Sequence, residues 1–325
     1  MTSEPAIQAK PFAQTQRLRQ LIDLLAHLAI TTLALTAIVT IVLIFVFVFR
    51  EALPVLTDPQ TKQEAGLSRL FLPLEQGQGL SRFIWQPVGM VPKYSLLPLI
   101  IGTLKTTIIA VLLAAPFGVA AAVYTSEFAP DRLREWIKPV VELLAGIPSV
   151  VLGFFALIIL ATWMQQAFGF PVRLNATTAG VALALGVIPI IYSVSEDALN
   201  AVPRSYREAS LALGASGWQT AIRVVVPAAM PGIFASVVLG FGRAVGETMI
   251  VLMASGNAAI TSWNLTDSTR TLAATIAAEL GEVIFGSPHY HVLFFIGALL
   301  FITTFSVNSL GAYVISLMRR RLMGK

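Results

Sequence analysis

Six apolar runs of about 20 residues or more divide this chain, near 24–49, 96–124, 139–164, 177–195, 228–254 and 291–317. Each is long enough to cross the roughly 30 Å hydrocarbon core of a bilayer as an α-helix. In hydrocarbon every backbone amide and carbonyl must find a partner without help from water. A chain patterned this way is expected to be an all-α integral membrane protein with six transmembrane helices. Its charged residues amount to 12%, against roughly 25% in soluble domains. It contains no cysteine, which excludes a disulfide framework and a thiolate metal centre.

The basic residues set the expected orientation. Of the 22 Lys and Arg, 13 flank the runs on the side that carries both termini and 7 on the other, with Lys105 and Arg243 inside runs. By the positive-inside rule both termini are cytoplasmic. The first run follows a polar tail and exceeds a signal-peptide core, so it is expected to be a retained anchor rather than a cleaved signal. The expected organisation is a tail over 1–23, a first helix over 24–49, an outer loop over 50–95, a five-helix core over 96–318 and a basic tail over 319–325. The core contains a cytoplasmic loop at 203–227 and an outer segment at 255–290.

Runs two to four each contain a proline, Pro116, Pro148 and Pro189. A proline frees a carbonyl that neighbours must satisfy, so these helices belong in a packed bundle. Residues 126–138 read as a solvated connector, and Lys105 is expected to snorkel to the interface. In the outer loop, Phe83 and Trp85 are candidates for packing on the membrane surface.

The loop at 203–227 carries two capping-box patterns, Ser205-x-x-Glu208 and Ser216-x-x-Gln219. Gly214 stands where a helix ends in left-handed geometry, and Pro227 is expected to end the second helix. Two short helices over 205–213 and 217–226 follow, with Tyr206, Ala209 and Leu213 on one face. Such a pair suggests nucleic-acid reading, but it is tethered between two spans and its second helix has only Arg223 as a base. A protein-docking role fits better. Glu208-Ala209-Ser210-x3-Gly214-x9-Val224-x-Val226-Pro227 resembles the EAA loop of bacterial ABC import permeases, with Ser210 for an alanine and Val224 and Val226 for isoleucine and leucine. The resemblance implies a type I importer architecture and a loop that inserts into a separate ATPase subunit. Arg204, Tyr206, Glu208, Ala209, Leu213, Gly214, Trp218 and Pro227 are the implied coupling residues.

The fifth run reads Gly240-Phe-Gly-Arg243-Ala-Val-Gly246-Glu247-Thr-Met249. At i and i+4, Arg243 and Glu247 are expected on one helix face, and Gly242-x3-Gly246 on a close helix contact. A charge at mid-membrane costs at least about 2.5 kcal/mol, and such residues mark substrate paths by default. A buried ion pair joining two helices is the structural alternative. An arginine fork grips two oxygens of an oxyanion and never deprotonates. An ionised glutamate only accepts hydrogen bonds, so it tolerates an anion that keeps a proton, such as phosphate, and repels sulfate. The run also resembles the PstC permease family of phosphate-specific ABC importers. So do Trp85-Gln86-Pro87, Val91-Pro92-Lys93-Tyr94, Leu97-Pro98, Gly102-Thr103, Tyr124-Thr125-Ser126-Glu127-Phe128, Gly146-Ile147-Pro148-Ser149-Val150 and Gly256-Asn257. That resemblance implies a heterodimer with a PstA-like permease, two ATPase subunits that bind the ATP and Mg, and an external phosphate-binding protein.

No Gly-x4-Gly-Lys-Ser/Thr run is present, so no cofactor is expected in this chain. In 255–290, Ser268 is expected to cap a helix over 269–285 with a stripe of Leu272, Ile276, Leu280 and Ile284. His289-x-His291 lacks a carboxylate or cysteine nearby in sequence and is a poor metal site. Open alternatives are a permease for sulfate or molybdate, a passive channel, or a membrane-embedded enzyme using Glu247 with His289 or His291.

Overall fold

The computed structural model describes residues 12–76 and 80–322. The expected tails over 1–23 and 319–325 therefore lie partly outside the described residues. Residues 1–50 and 51–325 form two compact units. Most of α1 (Phe12–Ala52) falls in the first; it has no internal proline or glycine and begins well before the expected span. Among the described residues six helical stretches are long and apolar enough to cross a membrane: Ile22–Thr57, Leu97–Glu127, Ser149–Phe168, Ala176–Asn200, Gly217–Gly246 and Pro288–Arg320.

The second unit opens with three short helices, α2 (Pro54–Thr57), α3 (Pro59–Ala65) and α4 (Leu67–Phe71). Two small antiparallel hairpins follow. In the first, β1 (Leu74–Gln76) pairs with β2 (Leu80–Arg82); in the second, β3 (Trp85–Gln86) pairs with β4 (Lys93–Tyr94) so that Trp85 opposes Tyr94. The expected open loop is thus folded. Trp85 does not lie on a membrane surface: it is buried with Val55, Leu70, Tyr94, Leu99, Leu293 and Ile296. An aromatic of this size contributes most when its ring is covered and its N–H finds a partner.

The bundle consists of α5 (Leu97–Glu127), α7 (Ser149–Phe155), α8 (Ala161–Phe168), α9 (Ala176–Asn200), α12 (Val226–Gly246), α13 (Met249–Ala254) and α15 (Pro288–Leu322), to which α6 (Asp131–Ala145), α10 (Arg204–Ala212), α11 (Gly217–Thr220) and α14 (Leu272–Glu279) are attached. A π turn at Ala156–Leu160 joins α7 to α8, and another at Ala221–Val225 joins α11 to α12. Small side chains let the helices approach closely. Ala110, Ala114, Ala179 and Ala182 share one core between α5 and α9. A Cβ on Gly180 would stand 2.6 Å from Ile109, and one on Gly311 2.6 Å from Val238.

Two expectations for this region are corrected. The third span does not begin at 139. Residues 131–145 form a separate amphipathic helix, α6, with none of its residues buried. The residue before a proline is pushed out of helical geometry, so the chain turns at Gly146-Ile147 and Pro148 serves as the N-cap of α7 rather than an internal kink. Nor is 126–138 a free connector, since Arg134 and Lys138 are tied to α9 through Glu196.

At the other end, residues 255–271 lie across the starts of α5 and α9. Leu265 O accepts from Thr177 N at 3.0 Å and Asp267 O from Ala176 N at 3.1 Å. Lys105 is buried and donates to Asn264 O at 3.0 Å, so it fastens this segment instead of reaching for solvent. Ser268 is spent on Leu174 O; α14 therefore starts later than expected, capped by Thr271, and ends at Glu279. The apolar stripe stops with it, leaving Ile284 exposed. A Cβ on Gly102 would meet Arg270 O at 2.1 Å, and backbone cannot yield as a side chain can. Gly102→Ala is expected to destabilise the purified chain by about 1–3 kcal/mol, read as a lowered thermal midpoint. An unchanged midpoint would show that the segment is not pressed onto α5.

Candidate functional site

The chain leaves α9 at Ala201, and Pro203 starts α10 as its N-cap without a side-chain cap. Helix geometry begins at Arg204, which places Ser205 inside the first turn. The expected Ser205–Glu208 box does not form. At the far end Gly214 adopts φ +83°. Ala215 N donates to Ser210 O at 3.2 Å and Gly214 N to Leu211 O at 2.9 Å, the paired bonds of a Schellman ending. The second capping box is present: Ser216 Oγ accepts from Gln219 N, and Gln219 Oε1 accepts from Ser216 N. Pro227 does not terminate a helix. The wider π turn before it relieves the clash that a proline makes with the preceding turn, and the helix runs on from Gly217 to Gly246.

This hairpin is held from within by Ser210 and Thr220, whose buried hydroxyls lie 2.9 Å apart. Its outer surface is bare. Tyr206, Leu213 and Trp218 are 53%, 90% and 64% exposed, and Arg204, Glu208, Ala209 and Gly214 are exposed too. Trp218 touches the chain through Phe128, ring to ring at 5.6 Å. Uncovered apolar side chains beside exposed charges make a patch suited to protein contact. Arg207 alone among the α10 charges turns inward, onto Glu127 at the end of α5.

Arg243 and Glu247 are placed differently from the sequence expectation. The helix stops at Gly246, and Glu247 takes the extended geometry φ −69°, ψ 130°. Helix resumes only at Met249. The two residues therefore do not share a continuous helix face, and they form no ion pair. Arg243 is exposed and Glu247 half-buried; Glu247 Oε1 accepts from Thr248 N at 3.1 Å and Thr248 Oγ1 donates to Gly246 O at 3.2 Å. Of the two glycines, Gly242 lies against Asn308 of α15 while Gly246 faces open space. A broken span inside a membrane is tolerated only where protein or a water-filled cavity answers the freed backbone. Beyond the break, Ile250 and Val251 are buried in the main core, and Gly153 leaves room for Met249 and Ile250 against α7. The break is thus seated, with its charged side chains turned outward from the packed core.

At the opposite end from α10, Glu279 collects Trp85 Nε1 at 3.1 Å, His289 Nε2 at 2.9 Å and Arg270. Arg270 Nε also donates to Asn257 Oδ1 at 3.0 Å. A cavity of about 640 Å³ adjoins this cluster. The carboxylate that the local sequence of His289 lacks is supplied from α14, and His291 Nδ1 donates to Glu51 O at 2.8 Å. Both histidines are committed to structure. Among the described residues no three His, Cys, Asp or Glu converge as a metal site. The signal missed in sequence was the spacing of Arg270, Glu279 and His289, which only the fold of 255–290 brings together.

The arrangement describes a membrane bundle with a broken charged span and a bare, exposed hairpin at one end. Comparison with known proteins agrees. Residues 114–320 match the family described as binding-protein-dependent transport system inner membrane component, and the chain belongs to that family of multi-pass inner-membrane transport proteins. It is 38% identical to Probable ABC transporter permease protein YqgH of Bacillus subtilis over 70% of this chain and 73% of that protein. It is 34% identical to phosphate transport system permease protein PstC of Mesorhizobium japonicum, over 71% and 76%. In fold it is similar to a bacterial ABC transporter involved in import of the acidic polysaccharide alginate, with TM-score 0.60, 13% identity, and coverage of 92% of this chain and 98% of that one.

Burial raises the pKa of Glu279, but hydrogen bonds from His289 and Trp85 and the charge of Arg270 outweigh it, so the carboxyl sits below its ordinary 4.5. A depressed carboxyl contributes stability that is complete above the ordinary value and lost as pH falls through the folded one. Glu279→Gln is expected to lower the thermal midpoint at neutral pH, with the gap from the parent closing as pH drops below 4.5. A gap independent of pH would contradict the assignment.

Proposed function

We propose that this chain is a permease subunit of an ATP-driven importer of inorganic phosphate, contributing half of the translocation path. Its termini and α10 face the cytoplasm, as the excess of basic residues on that side favours. It pairs with a PstA-like permease; two ATPase subunits bind ATP and Mg and dock on the α10–α11 hairpin; an external phosphate-binding protein delivers the substrate to the opposite side. The chain itself performs no hydrolysis and binds no nucleic acid. The names of its PstC relatives support the substrate. The exposed patch of Arg204, Tyr206, Glu208, Ala209, Leu213 and Trp218 supports the docking role, with Gly214 and Pro227 shaping its ends.

The observation that carries the reading is Arg243, exposed three residues before the break and without an ion pair among the described residues. An arginine left unpaired in a span is costly unless it meets an anion or water. Phosphate gives its fork two oxygens at once. Glu247, beside the break, accepts from the proton that phosphate retains and repels a fully ionised anion.

Uptake into vesicles holding the whole complex tests this. Arg243→Gln is expected to lower phosphate uptake about 10- to 100-fold, the scale of hydrogen bonds to a charged group, with assembly intact. Glu247→Gln is expected to narrow the preference for phosphate over sulfate. Unchanged preference would remove the proton-acceptor role, and full uptake by Arg243→Gln would remove Arg243 from the path.

A further inference from the structure

At the α10 end of the bundle two carboxylates are withdrawn from solvent. The Glu127 side chain is 8% exposed and that of Glu196 2%. Buried charge is stable only when its lone pairs are met, and both are met by residues of other elements. Arg207 of α10 grips Glu127 with Nε at 3.1 Å and Nη2 at 2.6 Å. The same guanidinium donates to Val202 O at 2.7 Å and to Leu199 O, in the last turn of α9, at 2.9 Å. One side chain thus holds the ends of α5 and α9 together beneath the docking helix.

The network continues inward. The Ser126 hydroxyl is 3.1 Å from both Glu127 Oε1 and Asn200 Oδ1, its one proton serving one acceptor at a time. Asn200 Nδ2 donates to Glu196 Oε1. Arg134 at 3.2 Å and Lys138 at 3.0 Å bring α6 onto the same carboxylate. By contrast, the rest of α10 is exposed apart from Ser210, which bonds Thr220 at the start of the fifth span and reaches neither α5 nor α9.

We propose that Arg207 is the positioning residue that passes displacement of α10 into α5 and α9, with Glu127 as its seat and the Asn200–Glu196 link extending the coupling to α6. The proposal rests on the reading of α10 as the ATPase-docking element. Lysine cannot replace Arg207 here, because a single ammonium cannot serve a bidentate carboxylate and two carbonyls in fixed directions.

The test uses the full complex in vesicles, with inorganic phosphate uptake and ATP hydrolysis measured together for the parent, Arg207→Lys, Glu127→Gln and Glu127→Asp. Arg207→Lys is expected to assemble normally and to lower phosphate moved per ATP hydrolysed about tenfold, within the usual range of coupling between sites. Glu127→Gln is expected to do the same, and Glu127→Asp to recover part of the loss. If Glu127→Gln fails to assemble, Arg207→Lys decides. An unchanged ratio in Arg207→Lys, whether both rates fall or neither does, overturns the proposal. A second reading separates its failure from that of the functional assignment. Spin labels at Leu211→Cys and Leu112→Cys, both exposed positions, report the α10–α5 distance through the nucleotide cycle. That distance is expected to hold constant in the parent and to vary with Arg207→Lys, even if the parent complex moves no phosphate. Equal behaviour in the two would overturn the linkage independently.

Discussion

Without water in the hydrocarbon core, a spanning segment has to answer its own backbone, and the rest of this structure follows from how that demand is met. α5 and α9 run unbroken through Pro116, which is exposed, and Pro189, which is buried. Two π turns carry helices past crowded positions without ending them. The ladder stops at one place in the fifth span, between Gly246 and Met249, and there side chains stand in: Thr248 on Gly246 O and Glu247 on Thr248 N. The interruption is seated against α7 and α9 by buried Ile250 and Val251. It is a built feature of the bundle, and it carries Arg243 and Glu247.

Charge around that break divides into groups with a partner of opposite sign and groups without one. At one end Glu279 gathers Arg270, His289 and Trp85; at the other Glu127 and Glu196 gather Arg207, Arg134 and Lys138. Each of these carboxylates is shielded and met by opposite charge, as burial requires. Arg243 lies between the two clusters and has no such partner among the described residues. That contrast, more than the presence of an arginine in a span, favours assigning it to a ligand that arrives and leaves.

Much of this was legible in the sequence where a local rule decided the outcome. Apolar length gave the spans, left-handed glycine chemistry gave the turn at Gly214, and Ser216 with Gln219 gave a capping box. The misreadings arose where tertiary partners outweighed local pattern. Ser205 lost its capping role because Pro203 took the N-cap position two residues earlier. Residues 139–145 are apolar enough to extend a span, yet Pro148 turns the chain before it can enter one. Lys105 and Trp85 resemble interfacial residues until segment 255–271 and Glu279 are brought to them from more than 150 residues away. The i, i+4 spacing of Arg243 and Glu247 presumed a helix that ends at Gly246, and no periodicity reports such an ending.

The break at 246–248 is expected to border a water-filled path rather than lipid. The chain has no cysteine, so Thr248→Cys places its one thiol there. In the assembled complex, a membrane-impermeant, water-borne thiol reagent is predicted to modify it, and saturating inorganic phosphate to slow that reaction. Modification by lipid-soluble reagents alone would contradict the account.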